Sequence, residues 1–514
     1  MATSSNRKTL GLTGVTVSAM ALIAPGAFLW MTYQLQAASM GANGATTAVD
    51  MLPGIFAALV LAFLSALSFS ELARRYPDTG SGNAYYFAEK AFLERESGKV
   101  RQWGKLAKFI TGWAAHLFYW VYPGVMVAFF TILVTYLLGF YGLHPSVWGQ
   151  IIIAWIFAIT IGMLAMRGIT GSTVVSVVIN FIQLAVLIVF SVLAIKFRLD
   201  NPLTIPATDW FHLSAQSVFT PHSISGVLFQ ASIAIIILVG FESSTALAAK
   251  AKNPQRDIPR GIILALIIQG LFAYMLEYFA ANFAISNQLT SADGALRGIA
   301  AAAVSIAPIG DLAIQIGDIF LGGNGFAFML VMAASGALAI IGTTLSAMNT
   351  AVRITFAMAQ DNELPEIVGL LHEKYSTPFA AVIFLSIFSG IIGTVGILGG
   401  VSAVTGIVLA SNLGTFVLYG LICALTIVAF AGKPGSNVIR HLLIPLLGLA
   451  ANVLLFGSIF FIGLKSGGTT AQSTYVAIGI ASGWFIVSLI YYVLNRQRKG
   501  KTILPFIKQA VEEK

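Results

Sequence analysis

The chain has one cysteine, Cys423, in 514 residues, so it can form neither an internal disulfide nor a cysteine metal cluster. Charge is sparse too: Asp, Glu, Lys and Arg make up 10% of the residues, against about 25% in an ordinary soluble domain. No P-loop, no group of metal ligands and no Ser-His-Asp spacing is present, and the polar stretches are too short for an ATPase domain. The enzyme reading therefore has little support, and no cofactor or metal is expected. Low-complexity tracts and an appended soluble domain are also missing.

What fills the chain is apolar: 57% of the residues are hydrophobic and the mean hydropathy is +0.87. A helix needs about 20 mainly apolar residues to cross a bilayer. The runs divide into twelve such stretches, at 11–38, 50–74, 108–139, 147–166, 171–195, 223–249, 261–284, 325–357, 378–398, 402–431, 441–464 and 472–494. The expected fold class is an all-α polytopic membrane protein with 12 transmembrane helices, its main partner the lipid bilayer. The first run follows a short polar leader and is too long for a signal peptide, so it is kept as a span.

The net charge of +9 could suggest nucleic acid, but its distribution does not. With the N-terminus in the cytoplasm, every Lys and Arg except Lys196, Arg198, Arg297 and Lys465 falls on the cytoplasmic side. The positive-inside rule then puts both termini there, and no nucleic-acid partner is expected. Residues 76–105 mix charge with Tyr85, Tyr86, Phe87 and Phe92, which reads as an amphipathic helix on the cytoplasmic face. The outer loops 199–222 and 285–322 are long enough to cover a vestibule or to be passive connections. The basic tail from Arg496 reads as an inner-leaflet contact.

Two of the apolar runs are interrupted. Leu22-Ile23-Ala24-Pro25-Gly26-Ala27-Phe28 breaks the first, and Val239-Gly240-Phe241-Glu242-Ser243-Ser244 breaks the sixth. Non-helical backbone at membrane depth survives only when it is buried in protein or lines a cavity, and paired breaks in two halves point to a transporter site. Breaks in the first and sixth spans imply two five-helix halves of opposite orientation, a 5+5 inverted repeat. The expected organisation is a leader (1–10), a first repeat (11–195), an outer loop (196–222), a second repeat (223–431), two further spans (432–495) and the tail (496–514). Pro25 stops the helix, and Gly26 and Gly240 supply backbone freedom. Freed N–H groups favour an anion and freed carbonyls a cation, and an α-amino acid carries one of each. Ile23, Ala24, Gly26 and Ala27, with Ile236, Ile237, Val239 and Gly240, are thus the expected substrate contacts; a plain proline kink is the alternative.

Three ionisable residues stand inside spans. Glu242 would cost roughly 2.5–3.5 kcal/mol in lipid, so it faces a cavity or a partner; it either serves substrate and proton or caps the half-helix after the break. Glu277, with no motif around it, reads as a structural or lateral hydrogen-bonding group. His116 reads as a hydrogen bond between helices rather than a proton relay. The three together are the candidate gating and proton-linked residues.

These stretches resemble the amino acid–polyamine–organocation (APC) transporters along nearly the whole chain. The resemblance is carried by Gly240-Phe241-Glu242-Ser243 with Lys252-Asn253-Pro254-Gln255-Arg256-Asp257, by Ser70-Glu71-Leu72-Ala73-Arg74-Arg75-Tyr76-Pro77-Asp78-Thr79-Gly80-Ser81-Gly82, and by Gly112-Trp113 with Tyr119-Trp120. Arg353 with Asp361-Asn362-Glu363-Leu364-Pro365, and Ser411-Asn412-Leu413-Gly414-Thr415 with Tyr419, are similar to its eighth and tenth spans. The resemblance implies a LeuT/APC-type fold in a bacterial-type inner membrane. It implies substrate-linked gating at Glu242 and a third span whose Tyr122, Pro123 and Val127 look toward substrate. Three departures matter: Ala24-Pro25-Gly26 replaces a common Gly-Ser-Gly, Ile236 an aromatic residue, and Gln183 a lysine of many proton-coupled relatives. The expected function is a secondary active amino acid transporter working by alternating access, with a proton or an exchange substrate as partner. A polyamine or amine carrier and a non-transporting sensor are the alternatives. A channel suits two broken helices less well, and saturable flux with counterflow separates the two classes.

Overall fold

The computed structural model describes residues 10–42, 44–77, 84–94, 98–167 and 173–497. Asp78-Thr79-Gly80-Ser81-Gly82, most of the leader and the tail beyond Gln497 lie outside the described residues. Among those described, the chain is helical with isolated bridges only. In order the helices are α1 (Leu12–Ile23), α2 (Pro25–Ala37), α3 (Met51–Arg75), α4 (Ala84–Leu93), α5 (Gly98–Gly139), α6 (Val147–Met166), α7 (Thr173–Asp200), α8 (Ala215–Phe219) and α9 (Ile224–Leu238). There follow α10 (Pro254–Ala265), α11 (Met275–Ala284), α12 (Ile299–Val304), α13 (Pro308–Phe320), α14 (Gly325–Gln360), α15 (Phe379–Phe430), α16 (Ile444–Phe461) and α17 (Gly468–Gln497). Proline begins α2, α10 and α13, where its missing N–H costs no helical bond.

Eleven helices among the described residues are long and apolar enough to cross a membrane, one fewer than the sequence suggests. The difference lies in α15, where the ninth and tenth runs follow one another without a loop as two helices that meet at a kink at Gly400, whose φ 61° and ψ −150° are non-helical. The broken spans sit innermost: 78% of the apolar window is buried in both the first and the sixth, against 11% in the last.

The starts of the second and sixth spans are tied together. Asp50, buried before α3, accepts the His222 N–H at 2.6 Å and the Ser223 hydroxyl at 3.2 Å, holding the starts of α3 and α9 together. Residues 285–322 are not a bare loop: α12 and α13 fold over α2, and Gly310 lies so close to Trp30 that an added Cβ would sit 2.8 Å from its ring. Tyr136 and Ser305 donate to the two oxygens of Asp311, at 2.8 and 2.5 Å, and fasten this cover to α5. The amphipathic helix expected within 76–105 is α4, and its apolar face packs against α5 and α15. Tyr85 and Phe87 of α4 are buried against the long helices, because α5 extends back to Gly98 and offers them an apolar wall.

Lys108 clamps this end. It pairs with Glu89 and, at 2.7 Å, with Asp361, and its ammonium lies 4.5 Å from the centre of the Tyr85 ring. Burial pushes the neighbouring Glu363 carboxyl up from 4.5 to about 7, against the opposing pull of Lys108 and Tyr85. An acid raised in the folded state stabilises it fully below the unfolded pKa, and that stability is lost as pH rises toward the folded one. Glu363→Gln should therefore raise the Tm of the purified protein at pH 8 and leave it nearly unchanged at pH 4.5. Equal shifts at both pH values would contradict this.

Candidate functional site

The first break is one residue long. Ala24 adopts φ 35° and ψ 64°, a left-handed conformation costly for any residue with a Cβ. In an unbroken helix the carbonyls of Ala21, Leu22 and Ile23 would accept from residues 25, 26 and 27. Pro25 has no N–H, Gly26 donates to Gln183 Oε1 at 3.3 Å, and Ala27 donates to Ala24 O at 3.0 Å. The freed carbonyls are met by hydroxyls from distant helices. Tyr122 and Thr343 both donate to Leu22 O, at 3.2 and 3.0 Å, and Tyr274 donates to Ile23 O. Leu22 and Ile23 are at most 1% exposed, so these hydroxyls stand where water would otherwise have to be.

The second break follows α9. Val239 is extended and Gly240 has φ 117°, after which Phe241–Lys250 winds as a 3-10 helix. The Gly240 N–H, which would continue the helix to Ile236 O, turns instead to Glu242 Oε2 at 3.0 Å. Tyr119 donates to Glu242 Oε1 and Tyr419 to Oε2, each at 2.7 Å. Glu242 is wholly buried and caps the segment after its own break, the structural alternative for this carboxylate. The breaks touch: a Cβ on Gly240 would lie 2.2 Å from Leu22 Cβ. Upstream, Asn412 donates to Ser232 O and Ile233 O at 2.7 and 3.2 Å, anchoring α9 to α15.

Ile23, Ala24, Gly26, Ala27, Ile236, Ile237, Val239 and Gly240 thus lie together, and Tyr122 joins them. Pro123 is buried inside α5. Val127 packs elsewhere, with its side chain against Gly393 of α15, because five residues from Tyr122 turn a helix by roughly 140°. His116 meets Thr355 Oγ1 at 3.1 Å in a cage of Trp113, Trp120 and Trp484, a hydrogen bond between helices. Glu277 is wholly buried in α11, and among the described residues neither of its oxygens has a hydrogen-bond partner. Beside Gly26 the packing leaves a closed gap with no room for a water molecule, walled by Leu29, Trp30, Val186, Leu187, Ile309, Met332 and Ser335.

Sequence reasoning did not single out Thr343 and Tyr274, whose only signal is a hydroxyl within an apolar run. Tyr119 and Tyr419 were noticed as motif residues without a role. Buried tyrosines need partners for their hydroxyls, and four of those in this core find them at the breaks.

A multi-pass membrane core built around two touching helix breaks defines a transporter-like class of fold. The chain matches the amino acid permease family over residues 8–487 and belongs to it, within the APC superfamily. It is similar to the branched-chain amino acid permease BcaP of Bacillus subtilis, at 23% identity over 89% of this chain and 88% of that one. The methylthioribose transporter of the same organism is 24% identical over 66% of each chain. The low-affinity putrescine importer PlaP of Escherichia coli K12 is 24% identical over 64% of this chain and 63% of its own.

The contact between the breaks is directly testable. Gly240→Ala adds left-handed strain of about 1–2 kcal/mol and a collision with Leu22, so it should lower the Tm by several degrees. Ala24→Gly removes the same kind of strain and should hold or raise the Tm. Thermal unfolding of both variants in one detergent checks the pair.

Proposed function

We propose that this permease moves small neutral aliphatic amino acids across a bacterial inner membrane by alternating access. In this reading α15 counts as two crossings at Gly400, giving twelve spans, with 11–195 and 223–431 as inverted repeats and both termini in the cytoplasm. The observation that carries the substrate class is the lining of the gap beside Gly26, which is aliphatic except for Trp30 and Ser335, includes no carboxylate, and is closed in this state so that it must widen to admit a side chain. The side chain would lie among Leu29, Val186, Leu187 and Met332. The carboxylate would take the Gly26 N–H from Gln183, and the ammonium would replace hydroxyls at Leu22 O and Ile23 O. A diamine's second ammonium would find no counter-ion there, since Glu242 is already engaged by Tyr119, Tyr419 and Gly240.

One observation favours the amine reading instead: Gly26 and Ala27, the first donors after the break, already have acceptors. A thermal-shift screen against leucine, isoleucine, valine and putrescine decides between the two. Stabilisation by the aliphatic amino acids supports the first reading, and a response to putrescine alone overturns it. Gln183→Leu leaves the Gly26 N–H without its partner, worth about 1.4 kcal/mol or tenfold in affinity. It should tighten amino acid binding by about that factor. Unchanged affinity would mean that Gly26 does not receive the carboxylate.

Proton linkage, where uptake depends on pH, is assigned to Glu277, the buried acid whose oxygens carry no partner among the described residues. Glu277→Gln should flatten the pH profile of uptake into proteoliposomes. Glu242→Gln should instead reduce uptake at every pH by loosening the second break. The opposite pattern would return the coupling role to Glu242.

A further inference from the structure

Away from the breaks, three spans each place an arginine at one mouth of the same groove. Arg74 is in the last turn of α3, Arg260 in the second turn of α10, and Arg440 just ahead of α16. The groove between them has a volume of about 560 Å³, and its walls below the arginines are Leu67, Ile263, Leu264 and Ile444. From Arg74 to Leu67 is seven residues, so the apolar wall reaches about 10 Å along the helix from the charged rim. Leu67 in the groove wall is 37% exposed, so the groove is open on the outside of the bundle.

The rim is short of negative charge. Glu71 is the only acid lining the groove, and it is already shared by Arg74 at 3.6 Å and His441 at 3.4 Å. Among the described residues Arg260 and Arg440 form no ion pair, and all three arginines are exposed. A guanidinium offers a planar fork of donors that matches phosphate oxygens. A basic pocket between spans at the membrane boundary suits an anionic lipid headgroup.

We propose that this groove is a binding site for one anionic phospholipid, its phosphate held by Arg74, Arg260 and Arg440 and an acyl chain lying over Leu67, Ile263 and Ile444. The lipid joins α3, α10 and the start of α16, adding to the Ser70–Pro259 O hydrogen bond at 3.5 Å, the Asn452–Ser65 hydrogen bond at 3.2 Å and the Glu71–His441 contact. A free phosphate would use only the rim and leave the apolar wall idle. The site is independent of the substrate reading and stands or falls separately from it.

The test uses the full chain in nanodiscs of phosphatidylcholine with increasing phosphatidylglycerol, read as Tm and as lipid retained in native mass spectrometry. The wild type should gain several degrees and retain phosphatidylglycerol. The double variant Arg260→Gln with Arg440→Gln, both exposed and therefore compatible with folding, should weaken apparent phosphatidylglycerol binding at least tenfold. Arg297→Gln with Lys465→Gln, the same loss of charge outside the groove, should leave it unchanged. Equal responses of the two double variants, or a wild-type gain reproduced by glycerol phosphate without acyl chains, would overturn the proposal.

Discussion

A backbone carbonyl released from a helix inside a membrane must find its donor within the protein, because no water waits there. At Leu22 and Ile23 that requirement is met by Tyr122, Thr343 and Tyr274, side chains from α5, α14 and the stretch before α11. At the second break the need is the converse one: the freed Gly240 N–H donates to Glu242, whose carboxylate also accepts from Tyr119 and Tyr419. Each broken span is thereby tied to several others, so the breaks hold the bundle together as much as they interrupt it. The contact between Gly240 and Leu22 makes the two breaks a single unit.

The same rule shapes the chemistry available to a ligand. Polar groups at the breaks are already satisfied, and a substrate must offer replacements at least as good, since a buried donor left unpaired costs about 1–3 kcal/mol. Tyrosine and threonine hydroxyls can rotate away and Gln183 can swing, whereas Glu242 is fixed by three donors. The adaptable groups therefore cluster at the first break and the rigid one at the second. The cover formed by α12 and α13 is fastened to α5 through Asp311, and Lys108 of α5 is fastened to α4 through Glu89 and to the end of α14 through Asp361.

Much of this was legible in the sequence. Pro25, Gly26, Gly240 and Glu242 stand out because such residues are costly in an apolar run unless the local structure needs them, and all four are at the breaks. Partners recruited over more than a hundred residues were not legible: Thr343 lies 321 residues from Leu22, and Tyr274 lies 251 from Ile23. A hydroxyl in a span has no local signature that separates a packing residue from a carbonyl's donor. The resemblance grouped Val127 with Tyr122, but its side chain lies against Gly393 of α15, on another side of the helix. The boundary between the ninth and tenth runs, expected at 399–401, coincides with the non-helical Gly400, though the two helices meet there without a loop.

Hydrogen–deuterium exchange in nanodiscs, with and without leucine, is the most direct measurement of whether the two breaks form the ligand site. Leucine should change protection in the peptides covering 20–28 and 235–245, with smaller changes at the α12–α13 cover. Unchanged exchange in both break peptides under conditions where leucine binds, with protection appearing elsewhere, would contradict the account.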